Sequence, residues 1–132
     1  MAFSGSADDI TAIRTLHDGY ADAVFRRDAQ DWGANWAEDA RWFLGETEVS
    51  GRVAIITLWQ QAMAGFSFVA FFSQTGSMTI NGDTACGVVY THEVLEQADG
   101  TLIRPVGRYE DHYVKAGGRW LYQERRYTLL KG

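Results

Sequence analysis

Among the side chains of this 132-residue chain that could move a proton or polarise a carbonyl, six stand out as candidates: His17, Tyr20, His92, Tyr109, Asp111 and His112. General acid–base work needs such a group inside a pocket, with its pKa tuned by burial or by neighbours. Spacing sorts the six. His17 and Tyr20 are three apart, so a helix sets them on one stripe and within reach of each other. Tyr109 and Asp111 are two apart, so a strand sets them on one face with Gly107 and Tyr113, while Arg108, Glu110 and His112 share the other. On the preceding strand, Val89, Thr91 and Glu93 alternate with Val88, Tyr90 and His92. Such a set suits proton transfer assisted by a hydroxyl. Other chemistries lack their signatures: there is no Gly-x-Ser-x-Gly elbow, no glycine-rich phosphate loop and no short ligand spacing among the histidines. The lone Cys86 has no activator nearby in sequence. Neither a metal nor a cofactor is expected.

Each candidate also has a plain structural role. Tyr20 fits a core tyrosine satisfied by a backbone group, and His17 a hydrogen-bonded core histidine. Asp111 fits a carboxylate paired with Arg126 or capping a turn. His92 and His112 fit a surface or a dimer face, and form a pair only if neighbouring strands set them opposite each other.

The elements that must position these groups follow from periodicity. Residues 8–28 carry Ile10, Ile13, Leu16 or His17, Tyr20 and Val24 at helical steps, with Asp8 or Asp9 as cap. A short second helix is expected over 31–37, with Trp32 and Trp36 on one face, then a strand over 39–44. Gly45-Glu46 is a turn, with a short return at Glu48-Val49. Ile55, Ile56, Trp59 and Met63 give a third helix over 52–64, closed by Gly65. From residue 66 the pattern turns to strands: 68–80, 85–97, 103–116 and 119–130, a four-stranded meander. Gly76 is expected to mark a bulge and Asn81-Gly82 a hairpin. Pro105 sits near the start of its strand, where it is tolerated best. Helices followed by a sheet make an α+β domain.

Composition bounds the class. Hydrophobic residues make up 46% and aromatics 14%, with five Trp, six Tyr and seven Phe, enough for one full core and an aromatic cavity besides. One domain over 1–132 is expected, with residues 1–7 flexible. A net charge of −5 without a basic run argues against nucleic acid as a partner. The single cysteine, the lack of a signal-peptide pattern and a longest apolar run far short of the ~20 residues that cross a bilayer give the expectation of a cytoplasmic protein with no membrane contact.

In order and spacing, several short motifs resemble the SnoaL-like group: a helix ending near Tyr20, then Trp36-Ala37-Glu38-Asp39-Ala40-Arg41-Trp42, Gly51-Arg52-Val53-Ala54-Ile55 and Asn81-Gly82-Asp83-Thr84-Ala85. Gly107-Arg108-Tyr109-Glu110-Asp111 and Gly118-Arg119-Trp120 complete the pattern, which runs from about residue 8 to 130. That group includes scytalone dehydratase, bile-acid dehydratase and polyketide-cyclase relatives. It shares the cone-shaped, cystatin-like fold of nuclear transport factor two and ketosteroid isomerase. The resemblance implies three helices on a curved, mostly antiparallel sheet, a pocket for an apolar small molecule, and a homodimer formed through the sheet face opposite the helices. It turns Tyr109 and Asp111 inward and His112 outward. It matches Tyr20 to the helical tyrosine of the dehydratases. It also places Phe25 where relatives carry an aspartate, and Phe71 and Val89 at or near two histidine positions.

The expected function is that of a small-molecule lyase or isomerase of dehydratase type, acting without cofactor on an aromatic, steroid or polyketide-like compound. Tyr20, Asp111 and His17 are its expected catalytic residues, and Tyr109, Trp42, Phe71, Val89 and Thr91 line its pocket. A non-catalytic binding protein is the alternative favoured by the apolar Phe71 and Val89. A third reading is an accessory subunit like the β subunit of ring-hydroxylating dioxygenases.

Overall fold

The computed structural model describes residues 2–132. Helix α1 (Ala7–Arg26) starts two or three residues earlier than its acidic residues suggest, because Ser6 is the cap: its Oγ accepts from the Asp9 amide at 3.1 Å. Asp8 and Asp9 then lie in the first turn, where they favour the helix dipole. The helix ends at Arg27, whose left-handed backbone (φ 55°) closes the last turn. Its buried stripe is Ile13, Leu16, His17, Tyr20, Ala23 and Val24.

The second helix is shorter and earlier than expected. Helix α2 (Ala29–Gly33) is capped by Asp28, and Trp36 already belongs to a strand, β2 (Trp36–Leu44). Local spacing favours a longer helix, but Trp36 pairs in parallel with Tyr122 of the last strand and the sheet wins. The two tryptophans still pack together, with ring centroids 5.6 Å apart. After β3 (Thr47–Ser50), helix α3 (Arg52–Ala64) buries Ile55 and Trp59. Trp59 stacks on Trp32 at 4.5 Å.

The expected meander is present as β4 (Phe66–Asn81), β5 (Thr84–Gln97), β7 (Val106–Ala116) and β8 (Arg119–Lys131), with the two-residue β6 (Leu102–Ile103) against β5. Two parallel pairings extend it. β2 lies beside β8 and carries β3 at the edge, while β1 (Phe3–Ser4) lies beside β4, so part of the expected flexible N-terminus is strand. The β4–β5 register shifts between Thr75 and Met78, around Gly76. Asn81 pairs with Thr84, so the hairpin loop is Gly82-Asp83, one residue later than expected, with Gly82 at φ 66°. The helices pack on one face of this large, curved, unclosed sheet, and the core lies between the two layers. Among the described residues no helix is long and apolar enough to cross a membrane.

Candidate active site

Alternation along β7 sends Tyr109, Asp111 and Tyr113 into the core and leaves His112 exposed. On β8 the alternation breaks. The β7–β8 register shifts between His112 and Tyr113, so Gln123 is an extra residue and Tyr122 and Arg125, three apart, both point inward. This shift decides the partner of Asp111. Arg126, the expected partner, is turned outward with its guanidinium 4.0 Å from the Phe43 ring centroid. Arg125 lies directly across from Asp111 and binds it twice, Nε to Oδ1 at 2.7 Å and Nη2 to Oδ2 at 3.1 Å.

The pair is 1% and 0% exposed at the side chains. A buried charge needs full compensation, and here it comes from two directions. The two-pronged contact satisfies the carboxylate. Three tyrosine rings face the guanidinium, which lies 3.7 Å from the Tyr109 centroid, 4.2 Å from Tyr122 and 4.8 Å from Tyr20. Burial pushes the Asp111 carboxyl up; Arg125 and the Tyr113 hydroxyl pull the other way.

A directional chain of hydrogen bonds leads from Asp111 to the first helix. The Tyr113 hydroxyl donates to Asp111 Oδ2 at 2.9 Å, which uses its only proton. Its contact with His17 Nε2, at 3.1 Å, must therefore be donated by the imidazole. His17 Nδ1 is then the acceptor, and the Tyr122 hydroxyl donates to it at 2.7 Å. His17 is thereby fixed as the neutral tautomer with its proton on Nε2. Burial, helped by the Arg125 and Arg14 charges, holds its pKa well below the usual histidine value, which agrees with that assignment.

Tyr20 closes the cluster from α1, with ring centroids 5.3 Å from Phe71, 5.5 Å from Trp32 and 5.5 Å from Tyr122. Burial raises its hydroxyl pKa and that of Tyr109. The Tyr109 hydroxyl accepts from Trp42 Nε1 at 3.2 Å. Tyr20, Asp111 and His17 are thus brought together, and so are Tyr109, Trp42, Phe71, Val89 and Thr91. All eight are buried. A hollow of about 670 Å³ lies on the outer face of the sheet, beside Thr79, Cys86, His112, Val114 and Glu124.

Four polar participants were not among the expected site residues: Arg125, Tyr113, Tyr122 and Glu93. Glu93 had a sequence signal, since it alternates with Val89 and Thr91. It lies mostly buried on that inward row, and burial lifts its carboxyl to about 7. Burial raises the pKa of Tyr20, Tyr109 and Tyr127, and the Glu93 charge adds to it in all three. Two residues away, Thr91 Oγ1 is buried with no hydrogen-bond partner.

The architecture is a cone of three helices on a curved, mostly antiparallel sheet with a polar cluster in its interior. The chain belongs to the SnoaL-like domain family, whose model matches residues 5–126. Solved structures of the same fold include a proposed aromatic ring hydroxylase from Novosphingobium aromaticivorans, at 24% identity and TM-score 0.89, covering 98% of this chain and 94% of that one. A proposed scytalone dehydratase from the same organism has 15% identity and TM-score 0.84, covering 93% and 85%. A hexachlorocyclohexane dehydrochlorinase from Novosphingobium barchaimii has 15% identity and TM-score 0.81, covering 94% and 88%. None of the curated proteins matches the chain.

Proposed function

We propose that this chain is a cofactor-independent lyase or isomerase of dehydratase type, acting on a neutral aromatic, steroid or polyketide-like compound. The observation that carries the reading is the buried Asp111–Arg125 pair under the rings of Tyr20, Tyr109 and Tyr122. A fixed, desolvated positive charge and hydroxyl donors stabilise an oxyanion as it develops on a carbonyl oxygen. Tyr20 and Tyr109 take the role of hydroxyl donors. Asp111 and His17 act as positioning residues, because their hydrogen-bonding atoms are already engaged by Arg125, Tyr113 and Tyr122. Membership of the SnoaL-like family, and the resemblance of its fold to proteins named for elimination reactions, support the same reading. A cytoplasmic homodimer joined through the outer sheet face goes with it.

The second reading is a non-catalytic binder of the same class of ligand. The apolar Phe71 and Val89, buried at or near the positions where the family resemblance implies histidines, favour it.

The test uses the aldol adduct of benzaldehyde and acetone, whose dehydration to benzylideneacetone is followed by absorbance. Turnover above the blank is expected, with Tyr20→Phe reducing kcat/KM by about 10- to 100-fold, as loss of one oxyanion donor does, and leaving the melting temperature nearly unchanged. Binding without turnover gives the second reading. A large fall in melting temperature for Tyr20→Phe makes Tyr20 a structural tyrosine.

A further inference from the structure

We propose that Glu93 is the proton carrier of this site and that it selects a neutral β-hydroxy ketone as substrate. The proposal rests on the lyase or isomerase reading and adds to it the group that moves the proton. Asp111 and His17 are poorly placed for that work. Each oxygen of Asp111 already accepts from Arg125, and Oδ2 from Tyr113 as well; both nitrogens of His17 are held by tyrosine hydroxyls. Glu93 is different in kind. No ion pair or side-chain hydrogen bond engages its carboxyl among the described residues, although it points inward from β5 with Thr91 and Leu95. Its backbone is held, the amide donating to Pro105 O at 3.0 Å, so the strand fixes where the carboxyl emerges.

The surroundings supply the rest of the site. The titratable groups that feel Glu93 are Tyr20 from α1, Tyr109 from β7 and Tyr127 from β8. Its cross-strand neighbour on β4 is the apolar Phe71, which offers no compensating charge. Thr91 brings an orphan hydroxyl to the same row, about 7 Å along the strand. A buried hydroxyl without a partner is rare, and the polar atom of a bound ligand would supply one here. Tyr127, only half-buried, lies over Gly107 at the outer end of this cluster. A carboxyl lifted to about 7 is half ionised at neutral pH and serves as base and as acid.

The step balances on this one carboxylate. Glu93 takes the proton from the carbon next to the ketone, and the C–H pair becomes the enolate double bond. The oxyanion is held by the Tyr20 and Tyr109 hydroxyls. Glu93 then returns its proton to the hydroxyl on the next carbon, which leaves as water as the enolate collapses to the conjugated enone. Hydrogen and hydroxyl must leave from the same side, because one carboxyl serves both. An anionic substrate is excluded from the same place by an unpaired carboxylate facing it.

The experiment has two parts, both on the intact chain. The Glu93 carboxyl carbon is titrated by NMR, with Glu93→Gln identifying the signal. The expected midpoint is about 7, and a midpoint at the ordinary 4.5 overturns the proposal whatever the substrate. The aldol adduct of benzaldehyde and acetone is then followed in wild type and Glu93→Gln, with its binding read from tryptophan fluorescence. Removal of the proton carrier is expected to lower kcat by at least about 100-fold while Kd changes less than about 3-fold. Turnover that survives Glu93→Gln overturns the assignment and keeps the enzyme. A wild type that turns over neither this adduct nor steroid and polyketide β-hydroxy ketones overturns the enzyme reading and this proposal with it.

Discussion

Breaking the Asp111–Arg125 pair from one side tests the account of the interior most directly. Arg125→Met keeps most of the volume and removes the charge, so the loss comes from electrostatics rather than from a cavity. Asp111 is then left buried with the Tyr113 hydroxyl as its one remaining donor. Removing one partner of a buried pair costs about 3–5 kcal/mol, which in a domain of this size lowers the melting temperature by roughly 10–20 °C. The pH dependence carries the sign. Burial already raises the Asp111 pKa, and loss of Arg125 raises it further, so the folded variant binds a proton more readily than the unfolded chain. Such a group favours folding at low pH and loses that contribution as pH rises through its folded pKa. The defect is therefore largest at neutral pH and shrinks on acidification. Urea denaturation across pH measures it. The double variant Asp111→Val with Arg125→Met should recover most of the loss, falling short by the ~1–3 kcal/mol of a Tyr113 hydroxyl proton left without its acceptor. A single variant that loses less than ~1 kcal/mol, or a double variant that loses the sum of the two singles, refutes the reasoning.

Three further outcomes are expected. Glu93→Gln should match wild type near pH 5 and exceed it by about 2 kcal/mol near pH 8, because the native carboxyl titrates at about 7 against 4.5 unfolded and its contribution is lost as pH rises through that window. Urea melts at the two pH values read the crossover. His17→Phe strands the Tyr122 donor and removes a donor from Tyr113, so a loss of about 2–4 kcal/mol is expected near pH 7.5. His17 has a depressed pKa, so its contribution is complete above about 6.5 and fades as pH falls, and the gap to wild type should narrow by pH 5. Gly107→Ala puts a methyl group into the ring of Tyr127, which lies against that glycine, and should cost about 1–3 kcal/mol by chemical denaturation. Adding Tyr127→Ala should return part of that cost.

Periodicity found α1 and α3 because their apolar stripes bury against a sheet and repeat at helical steps. Alternation placed Tyr109 and Asp111 inward and His112 outward, since β7 runs from Gly107 to Tyr113 without an extra residue. On β8 the same rule fails at Gln123, where nothing in the residue types marks the bulge, and the partner of Asp111 comes out one position late. The helix expected over 31–37 fails for a related reason: the parallel pairing of Trp36 with Tyr122 joins residues far apart in sequence and leaves no local trace. Glu93 was legible from its alternation with Val89 and Thr91. A glutamate on a strand nevertheless reads as a solvent-facing charge unless its neighbours' burial is known.

The edge strand β4 has a consequence for handling the protein. Among the described residues, its sixteen are paired on the outer edge only by the short β1 and the adjoining Ala2, beside Met78 and Thr79. The stretch Phe66-Ser67-Phe68-Val69-Ala70-Phe71-Phe72 at its other end has no charge and no proline, the composition of a segment that stacks into fibrils when exposed. One cation stands against that: Arg27, whose Nη2 donates to Phe66 O at 2.6 Å and occupies an edge carbonyl that another chain would use. Any condition that frays the end of α1 takes Arg27 away with it. Loss of solubility should then precede global unfolding, and the first species to self-associate is a nearly native molecule open at one edge.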